Sequence, residues 1–281
     1  MSDVQRTAAN STPDHALATS GRRAFLGRAG MAAGGAALLG LSSMGSFATA
    51  FASSTSLSPD TTQDILNAAL TAEQLATTFY YRGLVGPNAE NLVLVHNQAN
   101  LNYFQAAVWQ EHEHAALFSS VGAVSLAGSS PAFYFPTGTF KSDASFLAVL
   151  DALETAFIGA YLAAIGEWAG DSANAVASTG SFTPPQLAKI AGQIMGTEAE
   201  HRALGRVTLG VNPPNNLIYE AAPYVSVGSP TNASGTAVGT LLPFVTGGSG
   251  FSGPFALPST EKVRDAAGKY TNLVNPGLAG P

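Results

Sequence analysis

The fold is decided by two short stretches of sequence, Gln110-Glu111-His112-Glu113-His114-Ala115-Ala116-Leu117 and Thr197-Glu198-Ala199-Glu200-His201-Arg202-Ala203-Leu204. Each stretch contains the pattern Glu-x-x-His, and residues three apart lie on the same face of an α-helix. The glutamate and the histidine of one stretch can therefore bind the same metal ion. The two stretches align residue for residue, which indicates an internal repeat.

The repeat extends upstream of both stretches. Glu73, followed by Tyr80, aligns with Glu154, followed by Tyr161 at the same spacing. The chain is therefore predicted to contain two helix pairs, each of which offers one glutamate and then Glu-x-x-His. Duplication of one helix pair explains this order.

Four segments have apolar residues at the 3.6-residue period of amphipathic helices, and helix caps flank them. They predict an all-α, antiparallel four-helix bundle over residues 58–210. Counted from the turn between the last two helices, Glu154 and Glu198 lie at one level, roughly 21–24 Å along them. The predicted helices run from Ser58-Pro59-Asp60 to about Arg82 before Gly83, from near residue 101 (capped by Asn97 or Asn100) to near Gly122, from Ser142-Asp143 to Gly170, and from Thr183-Pro184-Pro185 to near Gly210.

Two segments outside the helices are rich in glycine, serine and proline. Residues 122–141 form a long crossover between the second and third helices. Residues 211–281 are predicted to be a mostly irregular extension with one short helix over Glu261–Tyr270. The extension is expected to pack on the bundle, because its apolar residues need burial. These residues are Leu217, Ile218, Tyr219, Leu241, Leu242, Phe244, Phe251 and Phe255.

The proposed ligands fall on the apolar faces of the helices. Carboxylates on a core face are costly unless they are paired or bound to a metal. Two glutamates plus two Glu-x-x-His motifs form the ligand set of di-iron and di-manganese carboxylate bundles. Mixed oxygen and imidazole ligands suit iron or manganese, with iron favoured here, whereas thiolates would suit structural zinc. The predicted site binds two metal ions through Glu73, Glu111, His114, Glu154, Glu198 and His201, with Glu73 and Glu154 bridging both ions.

With these motifs, residues 60–207 resemble the ferritin-like superfamily, and the chain beyond residue 50 resembles its exported branch that includes desiccation-related proteins. The resemblance implies the six ligand roles and a redox reaction with O₂ or peroxide. It leaves the type of enzyme open, since the superfamily spans ferroxidases, peroxidases, catalases and oxygenases. The chain has no cysteine and so no rubredoxin module, which departs from rubrerythrins. The long extension departs from the ferritins that form cages.

Four further residues are candidates for a supporting role around the ligands. Tyr80 and Tyr161 occupy equivalent positions of the repeat and can hydrogen-bond a histidine ligand or carry electrons; a core tyrosine is the alternative. Glu113 and Glu200 precede the two histidines and lie about 100° away from the ligand direction. A supporting or a surface role is expected for these two glutamates rather than ligation.

The first fifty residues resemble a twin-arginine export signal. Arg22-Arg23 is followed by Phe25-Leu26, then by a weakly hydrophobic stretch from Ala29 to Leu41 and by Ala48-Thr49-Ala50, which suits signal peptidase. The predicted partner is the twin-arginine translocase, and the predicted location is periplasmic or extracellular. An uncleaved membrane anchor is the alternative, although a stretch of such small residues makes a poor span.

Composition excludes some classes of partner and leaves two classes of function. The net charge of −6 and the pI of about 5.3 argue against nucleic acid. No membrane span is expected in the mature chain, and a homo-oligomer is left open. The favoured function is an exported di-metal oxidoreductase or iron-oxidising protein that limits oxidative or desiccation stress. The alternative is a non-catalytic envelope or stress protein whose metal site is structural.

Overall fold

A computed structural model of the chain describes residues 60–85, 92, 97–170 and 182–273. The predicted export signal in residues 1–50 lies outside the described residues, as does the predicted first turn at Ser58-Pro59.

Four long helices form the body of the molecule and confirm the all-α, ferritin-like antiparallel bundle. The first helix packs closely against the second and the third against the fourth, and the two pairs face each other across the centre of the bundle. The helices are α1 (Thr62–Leu84), α2 (Gln98–Ser120), α3 (Asp143–Gly170) and α4 (Pro184–Thr208).

Side chains that cap the helices fix where they begin. Thr61 and Asp64 form a capping box at the start of α1, so this helix begins two residues after the predicted Asp60. Asn97, one of the two predicted caps, caps α2, because its side chain accepts hydrogen bonds from the backbone of Ala99 and Asn100, and the helix begins at Gln98 rather than near residue 101. At α4, the backbone N–H of Thr183 donates to Gln186 Oε1 at 2.8 Å.

Gly83 does not end α1, contrary to the prediction, since the helix continues to Leu84. A methyl group at Gly83 would lie 2.7 Å from the ring of Phe146 on α3. Glycine is therefore needed here for close packing of α1 against α3 rather than to terminate the helix. The pattern alone cannot separate these two uses of a glycine near a helix end.

Two apolar clusters fill the bundle and leave a polar layer between them. Along α1, the residues of one cluster precede Glu73 and those of the other follow it. The order is reversed along α2 and α3, so these two helices run parallel to each other. The crossover from α2 to α3 must therefore travel the length of the bundle.

The crossover runs beside α1 and contains strand β1 (Ala132–Pro136). The backbone of Leu126 donates to Thr71 Oγ1 at 2.8 Å, which holds the crossover against α1. Strand β1 pairs in antiparallel fashion with β2 (Phe251–Ala256) of the extension. This two-stranded ribbon was not predicted, because Gly253 and Pro254 argue against a strand.

The C-terminal extension is irregular over most of its described length but also contains helix α5 (Ala237–Thr246), which was not predicted. The predicted short helix is α6 (Thr260–Ala267), capped by Ser259, and a 3₁₀ turn over Gly268–Asn272 follows it. Most of the apolar residues expected to be buried lie against the bundle. The exceptions are Leu217, Ile218 and Tyr219, which are 42%, 87% and 85% exposed, so the expected burial of these three is wrong.

Helix α3 is the one helix among the described residues that is long and apolar enough to cross a membrane. Within the bundle, 56% of its apolar window is buried. It contributes to both apolar clusters, from Phe146 to Trp168. Packing inside the bundle therefore accounts for its composition.

Candidate metal centre

The structure brings together all six residues that the sequence singled out, in the polar layer between the two apolar clusters. Each of the four helices contributes to the layer. Oxygen and nitrogen atoms of these side chains fall into two groups, and within each group they lie within 4.8 Å of one another. One group is Glu73, Glu111, His114 and Glu198, and the other is Glu111, Glu154, Glu198 and His201.

Glu111 and Glu198 belong to both groups, whereas Glu73 and Glu154 belong to one each. The expectation that Glu73 and Glu154 bridge two ions is therefore not met by this geometry. The position of the two histidines gives the reason. Each imidazole lies near both Glu111 and Glu198, so these two carboxylates occupy the middle of the layer.

Both histidine rings turn Nδ1 toward the carboxylates. His114 Nδ1 lies 3.3 Å from Glu73 Oε2 and 3.5 Å from Glu198 Oε1. His201 Nδ1 lies 2.8 Å from Glu111 Oε1, although this contact lacks the angles of a hydrogen bond. The two sites are not equally enclosed, because the side chain of His114 is 15% exposed and that of His201 is 3% exposed.

Gln110 orients His201, a role that the sequence pattern did not predict. The Nε2–H of His201 donates to Gln110 Oε1 at 2.9 Å, so it is Nδ1 that faces the cluster, where it can hold either a proton or a metal ion. Gln110 aligns with Thr197 in the repeat, and the two halves of the centre therefore differ at this position. The helical period gave no signal for Gln110, because it precedes Glu111 and lies off the ligand face.

Tyr80 and Tyr161 bind carboxylates rather than the predicted histidines. Tyr80 Oη donates to Glu154 Oε1 at 2.5 Å, and Tyr161 Oη donates to Glu73 Oε1. Each phenol reaches the glutamate of the other helix pair, so the two hydrogen bonds tie the halves of the repeat together across the bundle. Burial, followed by the charge of its carboxylate partner, raises the pKa of each phenol well above 10 and keeps it protonated as a donor.

Tyr103 extends this network on the side of His201. Its hydroxyl donates to the backbone carbonyl of His201 at 2.7 Å and lies 3.2 Å from the hydroxyl of Tyr80. The position that corresponds to Tyr103 in the second half is Ile190, so this contact also breaks the symmetry of the repeat. The repeat therefore could not reveal it.

Glu113 and Glu200 are both exposed and take no part in the cluster. Of the two roles expected for them, the surface role is the one that the structure gives. Both remain useful as matched controls, because each is a glutamate that directly precedes a histidine of the cluster.

Burial raises the pKa of Glu73 and of Glu154 well above the usual value, and the nearby carboxylate of Glu198 raises both further. Four carboxylates in one buried layer cannot all remain charged unless positive charge is added. The apolar clusters on either side provide no counter-charge.

The imidazoles supply part of that positive charge. Burial alone would lower the pKa of His114 and of His201, but the carboxylates of Glu73 and Glu111, respectively, hold both well above 6.5. Burial likewise would raise the pKa of Glu111, and the charge of His201 reverses this and lowers it. The centre is therefore built to hold cations, whether protons on the rings or metal ions.

The buried polar atoms that lack a hydrogen-bond partner indicate whether the cluster suits metal ions. Several carboxylate oxygens and one imidazole nitrogen in the layer are buried without a hydrogen-bond partner among the described residues, and each such atom costs about 1–3 kcal/mol. Cations would satisfy them, and the mixture of oxygen and imidazole donors suits iron or manganese. Ligation by these residues stays a prediction. The unpaired atoms are both carboxylate oxygens of Glu111 and Glu198, Oε2 of Glu154 and Nδ1 of His201.

Comparison with known proteins agrees with the bundle and its cluster. A family model described as a ferritin-like domain matches residues 61–211, a range that contains all four long helices and all six clustered residues. No curated protein and no solved structure matches the chain.

Proposed function

This chain belongs to the ferritin-like domain family, and on that premise we propose that its buried cluster holds two iron or manganese ions and reacts with dioxygen or peroxide. The observation that carries the proposal is the sharing of Glu111 and Glu198 between two groups of potential ligands. If each group held one cation, Glu111 and Glu198 would help to hold both, so a change of charge at one cation would affect the other.

Ferrous ions held by these residues would supply one electron each, and two electrons with two protons reduce dioxygen to hydrogen peroxide, or hydrogen peroxide to two waters. The protein's own residues prepare the centre for this chemistry. Gln110 orients His201, and the two phenols stabilise Glu73 and Glu154 in their charged forms. The apolar clusters above and below the layer exclude bulk water.

We further propose that the protein works outside the cytoplasm, after export by the twin-arginine route, and that it belongs to the branch that includes desiccation-related proteins. The motif around Arg22-Arg23 supports the route of export. Export of an already folded chain would allow the metal to be loaded in the cytoplasm. A role in limiting oxidative or desiccation stress follows from these two proposals together.

The test is metal analysis followed by turnover. Protein is loaded with Fe(II) or Mn(II) without oxygen, freed of excess metal, and assayed for consumption of dioxygen and of peroxide. We expect two ions per chain and consumption of at least one oxidant, with Glu113→Ala unchanged in both. Two ions per chain without turnover would instead support the structural role for the metal, and no bound metal would reject both.

A further inference from the structure

A pocket of about 50 Å³ lies between α1 and α3, on the side of the bundle that the C-terminal extension covers. Its lining is almost entirely carbon. Alanines of both helices form much of the inner wall, namely Ala68, Ala69 and Ala72 of α1 and Ala156, Ala160 and Ala164 of α3. Because these side chains are short, the two helices leave space between them.

The extension forms the outer wall of the pocket. Val238, Leu241 and Phe244 of α5 lie over the gap between α1 and α3. Gly159 allows the extension to approach α3, since a methyl group there would lie 2.8 Å from Pro223 and 3.1 Å from Tyr224. The pocket is thus formed by the extension and the bundle together.

The pocket adjoins the candidate metal centre. Tyr161 lines the pocket, and its hydroxyl donates a hydrogen bond to Glu73 in the centre. Two further lining residues, Ala72 and Leu153, directly precede Glu73 and Glu154 in sequence. One aromatic ring and the backbone next to two clustered glutamates therefore separate the pocket from the centre.

The centre differs in character on its opposite side, between α2 and α4. There His114 is 15% exposed, and polar contacts such as that of Tyr103 with the backbone of His201 join the helices. Partly exposed polar groups of this kind suit the approach of cations and polar oxidants. The carbon-lined pocket offers such species no comparable contacts.

The chemistry of the pocket selects its occupant. A buried water needs about two to four polar partners, whereas apolar cavities stay dry and bind apolar gases such as xenon. Trp168 and Tyr224 line the pocket, and the indole N–H of one and the hydroxyl of the other are buried without a hydrogen-bond partner among the described residues, so the polar groups of the lining are few. A small, neutral, apolar molecule fits this volume and this lining.

We propose that the pocket is a binding site for dioxygen, from which dioxygen reaches the metal centre past Tyr161. This inference rests on the function proposed above and assigns the two oxidants different routes to the centre. Dioxygen enters from the apolar side, and peroxide does not. It also gives the extension a role, because residues of α5 complete the site.

Xenon binding tests the site without turnover. We expect one xenon site in the pocket, seen in crystals of the metal-free protein under xenon pressure. Ala160→Leu, which fills the pocket, should abolish this site. Ala144→Leu is the matched control, because it makes the same change at an exposed position of the same helix, and it should keep the xenon.

Turnover of the iron-loaded protein tests delivery. In Ala160→Leu we expect dioxygen consumption to slow about tenfold while peroxide consumption stays within about twofold of wild type. Circular dichroism and two bound metals per chain would show that the variant is folded. If Ala160→Leu does not fold, Phe244→Ala provides the test in the opposite direction, because it enlarges the pocket and should bind more xenon.

The possible failures are distinguishable. A wild-type pocket without xenon would overturn the binding site even if both oxidants are consumed, as would a Phe244→Ala pocket with no added xenon. Equal slowing with dioxygen and peroxide, or no slowing with either, in a folded Ala160→Leu protein would overturn delivery. Xenon in the pocket of a metal-loaded protein that consumes neither oxidant would refute the proposed redox function, and delivery with it.

Discussion

Gln110 accepts a hydrogen bond from His201, with 2.9 Å between Oε1 of the amide and Nε2 of the ring. The Gln110→Leu variant should free the ring of His201 to rotate. The affinity for one of the two metal ions should then fall about tenfold, while the affinity for the ion near His114 is retained. Thr197→Val is the matched control at the equivalent position of the repeat. Titration with Fe(II) or Mn(II) should resolve one weakened and one unchanged step. Equal weakening of both steps would contradict this assignment.

The sharing of carboxylates predicts how many ions each variant loses. Glu111→Ala should lose both ions, because Glu111 belongs to both groups of ligands, whereas Glu73→Ala should lose one. Elemental analysis after gel filtration measures the number of ions per chain. Glu113→Ala, which removes an exposed glutamate from the same helix, should keep both. Loss of both ions in Glu73→Ala as well would show that Glu73 supports the whole centre.

The phenol–carboxylate hydrogen bonds should stabilise the metal-free protein. Tyr161→Phe leaves Glu73 buried without this donor, and Tyr80→Phe does the same to Glu154. Each variant should lower the free energy of unfolding by about 1–3 kcal/mol in urea titrations with a chelator present. Tyr219→Phe, at a position that is 85% exposed, is the control and should change little. A stability unchanged from wild type would show that the two phenols do not support the carboxylates.

Glu167 should make stability depend on pH. Its carboxylate accepts hydrogen bonds from the backbone N–H of Val227 at 2.7 Å and of Asp60 at 3.1 Å, which ties the extension to α3 and to the start of α1. Burial, opposed by the Val227 hydrogen bond and aided by the nearby carboxylate of Asp60, raises the pKa of Glu167 from 4.5 to about 7. The folded state therefore holds a proton that the unfolded state releases between these values.

Because the folded protein binds the extra proton, its stability should fall as the pH rises from about 4.5 to about 7 and level off above that. The fall should be about 1 kcal/mol, since Glu167 is partly exposed and solvent screens its interactions. Glu167→Gln should flatten this part of the profile of Tm against pH. A profile in Glu167→Gln that keeps the wild-type slope would assign the effect to another group.

The helices and the clustered residues could be predicted because both follow from local periodicity. Residues three apart share a helical face wherever the helix lies, and the repeat supplies a second copy of each position. The predicted bridging differs from the observed grouping of the side chains, because that grouping depends on how far each side chain reaches across the bundle. Gln110 and Tyr103 were missed because the second half has Thr197 and Ile190 at their positions.

The extension was harder to predict because its elements depend on partners far away in sequence. β2 forms only by pairing with β1, more than a hundred residues earlier, and it contains glycine and proline. α5 contains Pro243 within its span, which local rules count against a helix. Residues 217–219 were expected to be buried but are exposed, since apolar character alone does not guarantee a place in the core.

Helix α5 covers α1 and α3 but lies outside the range that the family model matches. The family match ends at residue 211, whereas the residues that cover the alanine faces of α1 and α3 lie between 223 and 244. A fragment cut at the end of the matched range would present those faces, and Tyr161 behind them, to water. The range that the family model matches therefore does not include the residues that bury these faces, and any truncated form of the protein should retain the helix at Ala237–Thr246.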